Sequence, residues 1–142
     1  MSKLRRALLP ASIALAATPA VALAAAAIKG ATYTGSTVRD KAPITLKVSK
    51  SGKSVTVNAP VAPLYCEGGG GPERQITRAA GISQGGSFSG SIGYEFVLTH
   101  KLTARLLFKG KFSGHAVKGT ARSEFVLAKS CDGSTTFTAK AK

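Results

Sequence analysis

The chain has no tryptophan, one methionine, two histidines, two cysteines and only six carboxylates among 142 residues. Each shortage removes a class of function. The histidines, His100 and His115, show no HxH or HxxxH spacing, so a zinc site of three or four ligands has nothing to build on, and no metal is expected. No serine stands in a GxSxG elbow, and no Ser/His/Asp set stands out. The aromatics Tyr33, Phe88, Phe96, Phe108, Phe112 and Phe137 fall mostly at core positions. A stacking platform for single-stranded nucleic acid needs them outside, so no specific nucleic-acid partner is expected. Gly52-Lys53-Ser54 matches the end of a phosphate-binding loop, but position 47 is Lys47 where that motif needs glycine, and a strand follows where it needs a helix. No cofactor is expected. No window after the first 24 residues shows helical periodicity.

What is present at the N-terminus is an export signal. Lys3, Arg5 and Arg6 precede an apolar run from Ala7 to about Ala27, broken by Pro10 and Pro19. The run closes on Ala22-Leu23-Ala24, a small-x-small site for signal peptidase. Cleavage is expected after Ala24, with Ala27 as the second choice. An uncleaved anchor is the competing reading: the run is long enough to span a membrane, but alanine is weakly apolar and two prolines interrupt it. The expected organisation is a signal peptide over 1–24, a flexible lead-in over 25–30 and a single all-β domain over 31–142, secreted or at the cell surface. No membrane span remains after cleavage. The sequence leaves the oligomeric state open.

Export bears on the cysteines. In an oxidising compartment an even pair reads as a disulfide, and neither Cys66 nor Cys131 belongs to a CxxC. A bridge between them closes 65 residues and stabilises by roughly 4 kcal/mol in the chain-entropy model. Export also bears on charge. Without the three signal cations, 17 basic side chains face six acidic ones, a net of +11. Such a surface attracts polyanions, although the cations are spread along the chain without a continuous run.

The remaining chain reads as strands. Ala31 to Val38 is rich in β-branched residues. Ile44, Leu46 and Val48 alternate with Thr45, Lys47 and Ser49, turn at Lys50-Ser51-Gly52-Lys53, and return through Val55 and Val57. This strand is expected to run from Ser54 to Val61. Glu67 to Glu73, with four consecutive glycines, is expected to be an exposed loop, followed by a short strand over Gln75 to Arg78. From Gly86 a phrase occurs twice: Phe88-Ser89-Gly90 leads to Glu95-Phe96-Val97-Leu98, and Phe112-Ser113-Gly114 leads to Glu124-Phe125-Val126-Leu127. Parity assigns Phe88, Gly90, Ile92, Tyr94, Phe96 and Leu98 to one face. Leu102, Ala104, Leu106 and Phe108 do likewise, and Phe112, Phe125 and Leu127 add to the core. Phe137 and Ala139 face inward in a last strand over Ser134 to Lys140. The count is eight to ten short strands. The fold class is all-β: one antiparallel β-sandwich or small β-barrel, closed by one disulfide.

Four stretches look like one group: Tyr33-Thr34-Gly35-Ser36-Thr37, Gly86-Ser87-Phe88-Ser89-Gly90, Gly110-Lys111-Phe112-Ser113-Gly114, and Cys131-Asp132-Gly133 with Phe137-Thr138-Ala139. In these placements the chain resembles uncharacterised exported all-β proteins of high-GC actinobacteria. The resemblance implies export and fold; it implies no activity and no site.

Three functions remain in view. The leading one is a non-enzymatic exported module, structural or binding, whose basic face touches anionic cell-envelope polymer through Lys47, Arg105, Lys109, Lys111 and Arg122. The second is a small barrel carrying an apolar ligand. The third is a secreted hydrolase using Glu95 and Glu124, which parity opposes because both carboxylates face outward beside cations. No catalytic residue is assigned.

Overall fold

Alternating apolar and polar residues bounded by glycine turns leave the chain only one economical way to bury its apolar set: strands that share one inner face. The computed structural model describes residues 26–60, 62 and 73–142. It contains nine strands: β1 Thr32–Thr37, β2 Pro43–Val48, β3 Ser54–Asn58, β4 Glu73–Thr77, β5 Ala80–Gly81, β6 Ser87–Phe96, β7 Leu102–Ser113, β8 Ala116–Phe125 and β9 Gly133–Ala141. All pairings are antiparallel, in the order β4-β6-β7-β8-β9-β1-β2-β3-β5. The one helical piece among the described residues is a 3-10 turn, Lys129–Cys131.

The sheet is curled into a half-barrel, and its two edges come from one piece of chain. β4 pairs with β6 at one edge and β5 pairs with β3 at the other, yet only Arg78 and Ala79 separate them. The segment 73–82 therefore belongs to both edges and holds them side by side. An isolated bridge, Ile82 to Phe88, continues the junction. Farther along, side chains replace the ladder. The Ala59 amide donates to Gln75 Oε1 (2.9 Å), and Gln75 Nε2 donates to Asn58 Oδ1 (3.0 Å). The buried Tyr94 hydroxyl donates to the Ala59 carbonyl (2.7 Å). Burial, reinforced by the nearby Glu73 carboxylate, raises the Tyr94 phenol well above its ordinary pKa.

The interior is filled by Tyr33, Tyr94, Phe112, Phe137 and a shell of Ile, Leu and Val side chains, all under 2% exposed. Three inward glycines make room for rings. Gly110 lies opposite Phe88, Gly90 opposite Phe108, and Gly119 opposite Phe137. Phe88 and Phe112 stack with centroids 4.9 Å apart, and Tyr33 meets Phe112 at 5.0 Å. The Tyr33 hydroxyl donates to the Gly114 carbonyl (2.6 Å) and accepts from the Ile28 amide (3.0 Å). Residues 26–30 are thus tied to the domain, with Ala27 buried.

The alternations of β2, β3, β7 and β9 follow the expected parity. Four expectations are corrected. Leu98 and Leu127, assigned to the core, are 77% and 96% exposed. Both lie beyond the strand ends, where the period of two no longer applies, and a register shift at Tyr94/Glu95 has already disturbed β6. β3 stops at Asn58 rather than Val61. Glu73 opens β4 instead of closing a loop, because β6 offers it a partner in Phe96. β6, β7 and β8, at 10, 12 and 10 residues, are also longer than the short strands expected. The Gly68–Gly71 run, the signal segment over 1–24 and Cys66 lie outside the described residues.

Candidate anion-binding surface

Because apolar side chains fill the inner face, the outer face receives the alternate residues, and these are mostly Ser, Thr, Lys and Arg. All five basic residues singled out above are exposed there. Register decides which of them meet. Lys109 lies opposite Ser89 on β6 and Thr120 on β8. Lys111 lies opposite Ser87 and Lys118. Two lysines directly opposite on neighbouring strands repel one another, and no carboxylate among the described residues is paired with either of them. A shallow open groove follows this row, walled by Lys109, Lys111, Lys118 and Thr120 and floored by the backbone of Gly110 and Gly119.

Lys118 was missed by parity alone. Its signal is the turn. Gly114 (φ +59°) takes the first central position of a two-residue hairpin loop with His115. Glycine tolerates that positive φ without cost. Pairing outward from this turn sets Lys111 against Lys118.

The other candidates separate. Arg105 lies opposite Glu124, and Arg122 Nε sits 3.5 Å from Glu124 Oε1. Arg122 is thus partly neutralised, and Arg105 stands across the ladder from the same carboxylate. Lys47 stands on β2 opposite Thr32 and Thr56, beside a second groove that includes Lys50.

Alternating strand directions sort the connections into two rims. Segments 26–31, 49–53, 82–86 and 114–115 share one rim with the C-terminal Lys142. Segments 38–42, 97–101 and 126–132 share the other. Hydrogen bonds join the first rim: Gly30 N to Ser49 O, Phe112 N to Gly86 O, and Ala141 N to His115 O. The charges sort with the rims. In the half of the molecule toward the first rim, nine lysines and His115 stand without one Asp or Glu among the described residues. The described carboxylates Asp40, Glu73, Glu95, Glu124 and Asp132 all lie in the other half, with the two ion pairs Arg74–Glu95 (2.9 Å) and Arg122–Glu124.

Glu95 and Glu124 are not neighbours. β7 stands between their strands, a lateral separation of about 10 Å, and each carboxylate faces an arginine. Among the described residues no three of His, Cys, Asp and Glu come together as metal ligands would. No helix there is long and apolar enough to cross a membrane. Cys131 is buried in the 3-10 turn. No protein-family model matches the chain, and no curated protein or solved structure matches it either.

Proposed function

We propose that the protein is an exported, non-enzymatic binding module that holds an anionic envelope polymer against its lysine-rich half. The observation that carries this reading is charge segregation: among the described residues, nine lysines without a carboxylate in one half, with Lys111 placed directly against Lys118. Strands gain nothing from such a pair, whereas a phosphate or carboxylate chain lying between the two relieves the repulsion. Lysine, a hydrated point charge on a flexible stem, suits a polymer of repeating charge better than one shaped ligand. The Ser and Thr hydroxyls beside the lysines supply further donors. Cys131, the described end of the proposed Cys66–Cys131 bridge, lies at the opposite rim. A carrier of an apolar ligand needs an empty interior, where Tyr33, Phe112 and Phe137 here lie packed.

The test is binding of polyphosphate, measured by calorimetry at two salt concentrations. Affinity falls about tenfold or more between 0.05 and 0.2 M salt as contacts are screened. It falls similarly in the Lys109→Gln/Lys111→Gln/Lys118→Gln variant, and much less in Arg105→Gln/Arg122→Gln. Binding indifferent to salt, or equal loss in the two variants, overturns the reading.

A further inference from the structure

Among the described residues six large hydrophobic side chains are conspicuously exposed, and five of them sit on the rim opposite the nine-lysine half. Val38 is 54% exposed, Val97 40%, Leu98 77%, Val126 45% and Leu127 96%. Single exposed apolar residues are ordinary; five on three adjoining connections are not a scatter. The connections are joined in order around the rim. Val126 N donates to Thr103 O, just past segment 97–101. Val38 N donates to Thr136 O and Arg39 N to Thr135 Oγ1, just past segment 126–132.

The repeated Glu-Phe-Val-Leu phrase is used the same way both times. The glutamate faces an arginine, Glu95 with Arg74 and Glu124 with Arg122. The phenylalanine is half-buried at the rim, and Phe125 packs on the core. Val and Leu then project from the end. A cation follows each tip: Arg39 after Val38, Lys101 three residues after Leu98, and Lys129 two after Leu127. The two aspartates of the rim connections are engaged within the fold. Asp132 Oδ1 accepts from the Phe125 amide (2.6 Å), and Asp40 accepts from the Thr37 hydroxyl. Lys101 and Lys129 enter neither of the two ion pairs.

We propose that this rim seats on an anionic lipid surface, with Leu98 and Leu127 inserted at the headgroup boundary and Lys101, Lys129 and Arg39 against the lipid phosphates. Aliphatic tips flanked by cations match the interface between acyl chains and anionic headgroups. A second copy of the same rim meets those cations with cations. This inference is independent of the polymer reading and concerns the opposite end. With both in place, the module spans the gap between a bilayer and the polymer outside it.

The absence of tryptophan supplies a clean probe. Leu127→Trp is prepared in the mature chain, with Ser51→Trp at the lysine rim as its counterpart. Each is mixed with vesicles of phosphatidylglycerol and phosphatidylcholine, or of phosphatidylcholine alone. The tryptophan at 127 shifts to the blue with anionic vesicles and is quenched by brominated acyl chains; the one at 51 is not. In the unlabelled protein, Leu98→Ser/Leu127→Ser lowers co-sedimentation with anionic vesicles about tenfold or more. No shift at 127, a shift at 51 instead, or a vesicle-free shift at 127 that grows with protein concentration overturns the proposal. The last result assigns the rim to self-association.

Discussion

Phe88 lies directly opposite Gly110, and its ring occupies the volume a side chain at position 110 would need: a Cβ built there falls 2.6 Å from Phe88 Cζ. The same exchange occurs between Phe108 and Gly90 and between Phe137 and Gly119. A ring laid over a glycine on the next strand covers exposed backbone and lets a tightly curled sheet fill its interior.

Alanine at Gly119 tests this directly. Its Cβ would lie 2.4 Å from both the Lys109 carbonyl oxygen and Phe137 Cζ, and one of these is backbone. Gly119→Ala is expected to cost about 1–3 kcal/mol in chemical denaturation. Gly81→Ala, where nothing lies within 4 Å, is expected to leave stability unchanged or raise it by up to about 1 kcal/mol.

The sheet junction depends on the Tyr94 hydroxyl. Tyr94→Phe leaves the Ala59 carbonyl, a residue 1% exposed, without that donor. The expected loss is about 1–3 kcal/mol, seen as a melting temperature several degrees lower.

The same phenol makes the fold sensitive to alkali. Its pKa is raised by folding above the value near 10 of an unfolded tyrosine. The neutral form is therefore the one the fold favours, and its contribution is complete below pH 10. That contribution drains away as pH climbs past 10 toward the folded value. Phenolate absorbance is expected to show one tyrosine ionising together with alkaline unfolding, and Tyr94→Phe is expected to remove that delayed step.

The opposed lysines predict an inverse relation between stability and binding. Lys118→Glu replaces a repulsive cross-strand pair with an attractive one facing Lys111. Stability is expected to rise by about 0.2–1 kcal/mol, while polyphosphate affinity drops by more than for Lys118→Gln.

The proposed bridge predicts that oxidised protein from outside the cell has no titratable thiol. Cys66→Ser is expected to lower stability by roughly 4 kcal/mol relative to it. Two reactive thiols in the native protein would remove the bridge.

Parity along the chain was enough to assign the inner set of β2, β3, β7 and β9, because a strand with one dry face must alternate. The glycine turns marked where strands begin and end, and so an antiparallel all-β domain followed from local pattern. What tertiary structure alone decided was register and closure. Only pairing sets Lys111 against Lys118, Glu95 two strands from Glu124, and each phenylalanine over a glycine. Only curling lets residues 73–82 serve both sheet edges, and it gathers nine dispersed lysines into one half and two distant Val-Leu pairs onto one rim. These are relations between residues far apart in sequence, and a period-two pattern carries information only about neighbours along a single strand.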